Sequence, residues 1–346
     1  MTPELTELRR MLDTLLDGRS LSGDEARTLL AGITHPDTPT PLSGAILAAL
    51  RAKGVTGEEL RGLAQGMRAA ALRPQIASSA RAVDIVGTGG DKSGSYNLST
   101  GAALLAAAAG QPVIKHGNRS VSSRAGSADV LEALGLKLPL DEKQAGEFFD
   151  RTGFTFLFAP HFHPAMKAVS PVRAAMGVRT VFNVLGPLSN PAEPGFHVIG
   201  AYDLRTARLM ADALAGLPIN RAFVVHGSGG WDEPTPLGPF ALFDVRPGSV
   251  RQSERTPANF GLQSCHERDL LGGDAAFNAA ALTRVLRGEE LGGHRDALLL
   301  GAALALEVSG SESSPRAAIA RAAGAIENGR AAALLGQLAS FGGAHA

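Results

Sequence analysis

The chain has 346 residues, 45% of them hydrophobic, with 33 Lys and Arg against 33 Asp and Glu and a single cysteine, Cys265. This is a globular composition long enough for two ordinary domains; it excludes a general affinity for nucleic acid or anionic membrane, a disulfide within the chain, and a CxxC metal or redox pair. A reducing, cytoplasmic setting is expected, since the charged start MTPELTELRRMLDTLLDG reads as an amphipathic helix and the apolar run 298–306 is too short to cross a bilayer.

From Glu4 to about Arg73, apolar residues such as Leu5, Leu8, Leu12, Leu15 and Leu16 recur three and four apart and no strand-like run intervenes, which predicts an all-helical domain over residues 1–75. Ser22 ahead of Asp24 and Glu25, and Thr56 ahead of Glu58 and Glu59, mark helix starts. Residues 73–80 read as a linker. Beyond them, short β-branched runs alternate with glycine-rich loops and Ala- or Leu-rich helices. Strands are predicted at 83–86, 112–115, 154–158, 197–202 and 222–225, so the fold class is α/β with a mostly parallel central sheet. The run 240–245 and the following Pro-Gly turn read as antiparallel edge, with helices from Asp274 and Arg295 to the end.

In such a sheet, ligands bind outside the carboxyl ends of the strands, and three loops leave strands there. The first, GTGGDKSGSYNLST (87–100), places Gly87 and Gly90 where bare backbone N–H groups can approach a ligand, then opens a helix at Asn97, Ser99 and Thr100 whose N-terminus favours an anion. It is neither a Walker A loop nor GxGxxG. Asp91 beside a phosphate implies an intervening metal or ribose hydroxyl, or else it caps a turn. The second loop, KHGNRSVSSRAGSADVLEALG (115–135), offers Lys115 and Ser123 to phosphate oxygens and enters a helix at Ser127. The third, HGSGGWDE (226–233), ends in Asp232-Glu233, which could hold one or two magnesium ions bridging to a diphosphate. His161 and His163 lack a third soft ligand for zinc. Arg173 and Arg179, on a helix-like stretch, could bind a substrate carboxylate or serve as structural ion-pair partners.

These blocks in this order, GTGGD (87–91), NLST (97–100), KHGNRSVSS (115–123), HPAMKAVSPVR (163–173), VRTVFNVLGPLSNPA (178–192) and GGDAAFNA (272–279), resemble the anthranilate phosphoribosyltransferases over nearly the whole chain. The resemblance implies a homodimer joined through the helical domain. It also implies that about 163–187 packs back onto that domain, with 76–162 and 188–346 forming the larger α/β unit. The implied reaction transfers phosphoribosyl from phosphoribosyl diphosphate to anthranilate, with magnesium, two ions per site. Gly87, Gly90, Asp91, Ser95, Asn97, Ser99, Thr100, Lys115, Ser123 and Ser127 would surround the phosphoribosyl diphosphate. Ser99, Asp232 and Glu233 would serve the metal, with Lys115, Asp232 and Glu233 as the catalytic set. Asn118, Arg173 and the backbone at Gly87 would receive anthranilate. Gly229 stands where that family usually has Asp, and Gly301 where it usually has Asn. A pyrimidine-nucleoside phosphorylase is the nearest alternative, against which KHGNR and FNVLGPLSNP speak; a non-catalytic nucleic-acid-binding relative is a second, against which the zero net charge speaks.

Overall fold

The computed structural model describes residues 4–91, 93–120 and 124–344. Helices α1 (Leu5–Leu16), α2 (Gly23–Ile33), α3 (Thr40–Lys53) and α4 (Gly57–Ala69) form the amino-terminal bundle. Both predicted helix starts are reciprocal capping boxes. Ser22 Oγ accepts the Glu25 N–H at 3.3 Å while Glu25 accepts the Ser22 N–H at 3.0 Å, and Thr56 and Glu59 repeat the exchange at 3.2 and 2.9 Å. Glu59 is fully buried and does more than cap: it also accepts the Leu21 N–H and the Lys53 ammonium, each at 2.9 Å, tying α4 to the α1–α2 turn and to the end of α3.

The remainder supplies β1 (Val83–Gly87), α5 (Leu98–Ala108), β2 (Val113–Gly117), α6 (Ser127–Ala133), α7 (Glu142–Thr152), β3 (Phe154–Phe158), α8 (Ala159–Phe162), α9 (Met166–Met176), α10 (Phe182–Leu185), β4 (Phe196–Gly200), α11 (Leu204–Leu214), β5 (Arg221–His226), β6 (Phe240–Arg246), β7 (Ser249–Arg255), α12 (Ala275–Leu286), α13 (Gly293–Val308), α14 (Pro315–Glu327) and α15 (Arg330–Ala344). The strands pair in the order β3-β2-β1-β4-β5-β6-β7, parallel through β5 and antiparallel for β6 and β7. Two predicted strands shift. The second runs to Gly117, in full register with β3. The fourth stops at Gly200, short of 202, because Asp203 caps α11 through the Thr206 N–H (2.6 Å) and turns the chain out of the sheet.

Strand order reverses between β1 and β4, so the crevice such sheets use for ligands opens at the ends of these two strands. One face of the sheet is covered by α5 and α13, each buried along most of its length. The other face packs on α11, and this core runs on without a break into the helical bundle and the 163–187 segment: Val224 and Met210 share it with Leu63, Ile46, Val172 and Phe182. Among the described residues, no helix is long and apolar enough to cross a membrane.

Candidate active site

The glycine-rich loop after β1 and the acidic pair after β5 meet at this crevice. Asp232 and Glu233 are adjacent in sequence yet held by different parts of the first loop. Asp232 Oδ2 accepts the Gly89 N–H at 2.5 Å and lies 3.4 Å from Thr88 Oγ1. Glu233 accepts the Ser99 N–H at 3.0 Å, in the first turn of α5, and the Ser95 hydroxyl at 3.2 Å. The α5 terminus thus receives an anion, as the sequence suggested, and that anion is a protein carboxylate. A β-carbon at Gly87 would collide with the Asp232 carboxylate.

Asp91 has partners of its own. One oxygen accepts the Ser93 N–H at 3.1 Å, closing an Asx turn, and the other accepts the Asp232 N–H at 3.3 Å. Three carboxyl groups are therefore gathered in a small volume, with Asp232 and Glu233 buried and Asp91 half-buried. Burial, then the charge of Asp91, raises Asp232 to about 7, and burial with the charges of Asp232 and Asp91 lifts Glu233 well above the carboxylate range.

The cation facing them is Lys115, on β2 and 1% exposed, whose Nζ lies 3.3 Å from Ser99 Oγ and donates to the Ile85 carbonyl. Burial brings its pKa down to about 8, against the pull of Asp84, Glu233 and Asp232. Asp84, fully buried on β1, is fixed by the His116 N–H at 3.2 Å and by Asn190 at 2.9 Å, and burial raises it to about 6. A surplus of acids over cations in a buried site suits a divalent ion. Among the described residues, no group of three or more His, Cys, Asp or Glu side chains is set to hold a metal by itself. His161 instead faces Glu142 at 3.6 Å, and His163 packs edge-on against His116 at 5.0 Å.

The other expected residues are placed unevenly. Asn97 lies between the carbonyl of Ala125, to which it donates at 3.1 Å, and Asn278 Nδ2, from which it accepts at 2.9 Å. Asn278, in the GGDAAFNA block and given no role from sequence, thereby braces the first loop from α12. Ser127 opens α6, as expected. Thr100 is fully enclosed within α5. Ser123 lies outside the described residues. Gly90 adopts φ +76° and its carbonyl accepts from Arg179. Arg179 is the clearest correction: it lies beyond α9, which ends at Gly177 in the left-handed region, and its guanidinium stacks on Tyr202 at 4.2 Å and braces Gly90. Arg173 remains on α9, half-buried, 5.1 Å from the Phe182 ring centroid and without an ion-pair partner among the described residues. Asn118 is exposed just past β2. Gly301 of α13 borders a cavity of about 20 Å³ behind Asp232 and Glu233.

Residues 9–71 match the helical bundle domain, and 79–332 the a/b domain, of a glycosyl transferase family. The anthranilate phosphoribosyltransferase of Desulforudis audaxviator is 44% identical over 335 residues, covering 96% of each chain. The chain belongs to the anthranilate phosphoribosyltransferase family. The crystal structure of the Thermus thermophilus anthranilate phosphoribosyltransferase superposes with a TM-score of 0.89 at 40% identity, covering 96% of this chain and 98% of that one. The Saccharomyces cerevisiae anthranilate phosphoribosyltransferase, solved in complex with phosphoribosyl diphosphate and magnesium, superposes with a TM-score of 0.88 at 26% identity, covering 99% of each.

Proposed function

We propose that this chain transfers the phosphoribosyl group of 5-phosphoribosyl 1-diphosphate to the amino group of anthranilate, giving N-(5-phosphoribosyl)anthranilate and diphosphate, a step of tryptophan biosynthesis. The observation that carries this reading is the meeting of Asp232, Glu233 and Lys115 with the glycine-rich loop at the β1–β4 switch point.

In this reaction the bond from the anomeric carbon to the diphosphate oxygen breaks, a bond to the anthranilate nitrogen forms, and the amine loses a proton. The amine is the nucleophile, so the protein needs no strong nucleophile of its own; it aligns the reactants and stabilises the departing charge. Magnesium, with two ions in the full proposal, would be held by Asp232, Glu233 and Ser99 and would neutralise the diphosphate. Lys115 presents a buried ammonium beside Ser99, where a diphosphate oxygen can share it. Ser95, Asn97 and Ser127 offer hydroxyl and amide groups along the same edge, with Gly87, Gly90, Asp91 and Thr100 shaping the wall. Arg173 supplies a guanidinium for the anthranilate carboxylate, and Asn118 lines the approach. The proposal includes a homodimer joined through the helical bundle. The test is anthranilate fluorescence followed with phosphoribosyl diphosphate and magnesium: consumption dependent on both is expected, and a folded chain that leaves anthranilate untouched overturns the reading.

A further inference from the structure

We infer that Tyr96 is a positioning residue for the phosphoribosyl diphosphate site, its ring clamping the loop 93–97 to α12 and α13 so that Ser95, Asn97 and Ser99 are presented in register. The inference rests on the reading of that loop as a wall of the substrate pocket.

Residues 93–97 lie between β1 and α5 with no regular structure of their own, and Gly94 is exposed with φ +65°. Their order comes from outside. The Tyr96 N–H donates to the Leu270 carbonyl at 3.1 Å, the Gly272 N–H donates to the Gly94 carbonyl at 2.8 Å, and Ser95 pairs with Leu271 as a short antiparallel bridge. The Tyr96 ring then stacks on His294 with centroids 3.9 Å apart and planes 12° from parallel, and on Phe277 at 6.0 Å and 8°. His294, in the first turn of α13, is itself fixed: it is 2% exposed, and its Nδ1 lies 3.3 Å from Glu290, which accepts from Arg284 of α12 at 2.9 Å.

The neighbours of Tyr96 show what the clamp serves. Ser95 on one side holds Glu233, and Asn97 on the other is held by Asn278 beside Phe277. A ring locked on two partners removes the rotational freedom of the segment joining two substrate-facing side chains, freedom that binding would otherwise have to remove. Arg173 and Asn118 lie on other elements, so the clamp acts on one substrate and not on the other.

The experiment compares steady-state constants for the full-length chain and the variants Tyr96→Ala, Tyr96→Phe and His294→Ala. Tyr96→Ala raises the KM for phosphoribosyl diphosphate roughly tenfold or more while the KM for anthranilate stays within about twofold. Tyr96→Phe keeps the ring and stays near the parent, and His294→Ala shifts the same constant in the same direction by less. An unchanged phosphoribosyl diphosphate KM in Tyr96→Ala, an equal rise for both substrates, or a Tyr96→Phe variant as impaired as Tyr96→Ala overturns the inference. Should Tyr96→Ala fail to fold, His294→Ala carries the same comparison. If the parent chain turns over no anthranilate, the functional reading falls, and amide exchange decides the clamp alone: faster exchange at Tyr96 and Gly272 in His294→Ala supports it, and unchanged exchange overturns it.

Discussion

Gly87, at the end of β1, has no side chain because the Asp232 carboxylate stands where one would go. The close approach lets the Gly89 N–H reach Asp232 Oδ2 at 2.5 Å, so the shape of the loop and the orientation of the acid are one feature. Gly87→Ala should therefore displace Asp232. Apparent magnesium affinity should weaken roughly 10- to 100-fold, as when groups that orient metal ligands are lost. Turnover measured against magnesium concentration checks this, and a normal magnesium curve in the variant would show that Asp232 needs no such backing.

Arg173 is half-buried with no acidic partner among the described residues, and burial lowers its pKa. Arg173→Ala should raise the anthranilate KM by about 10- to 100-fold, the worth of a hydrogen bond to a charged group, with the phosphoribosyl diphosphate KM little changed. A matching loss for both substrates would assign Arg173 to the scaffold.

Glu59 is the structural centre of the bundle. Removing it strands Lys53, 7% exposed at the side chain, together with the N–H groups of Leu21 and Thr56. Breaking one half of a buried pair costs about 3–5 kcal/mol, so Glu59→Ala should lower the urea midpoint markedly by circular dichroism. A midpoint within error of the parent would mean that water reaches Lys53 readily.

Burial lowers His197 to about 3 and His163 to about 4, from an ordinary value of 6.5. Both groups are neutral in the fold at neutral pH, and the unfolded chain binds their protons first as pH drops. Their contribution is complete above about 6.5 and is lost progressively below it, by up to ~1.4 kcal/mol per pH unit for each until its folded pKa is reached. Thermal midpoints should fall from pH 6.5 toward 4, and His197→Leu should flatten that slope; equal slopes would place the acid sensitivity elsewhere.

Local signals were the most legible. Ser22 with Glu25 and Thr56 with Glu59 act within one helical turn, and Phe154–Phe158 is an apolar run bounded by Gly153, so these were readable from spacing. The edge on which the loops gather followed from strand–loop–helix alternation. The contacts that define the site did not, because they join distant segments: Gly87 with Asp232, Asn97 with Asn278, Tyr96 with His294. No periodicity encodes which side chain a remote loop delivers. Lys115 was readable as a cation at a strand end, whereas its burial depends on β1 and β3 flanking it. For Arg179 a signal was present and outweighed: Gly177, two residues earlier, is a helix stop, and α9 ends there.

The shared core of Val224, Met210, Leu63 and Phe182 bears on how substrates get in. Units joined by a thin polar seam can swing apart, but here a swing would strip oily side chains on both sides and wet them, at about 25 cal/mol for each Å² exposed. Substrates therefore meet a crevice whose bundle side and sheet side are joined by apolar packing, and opening it along that join carries this cost.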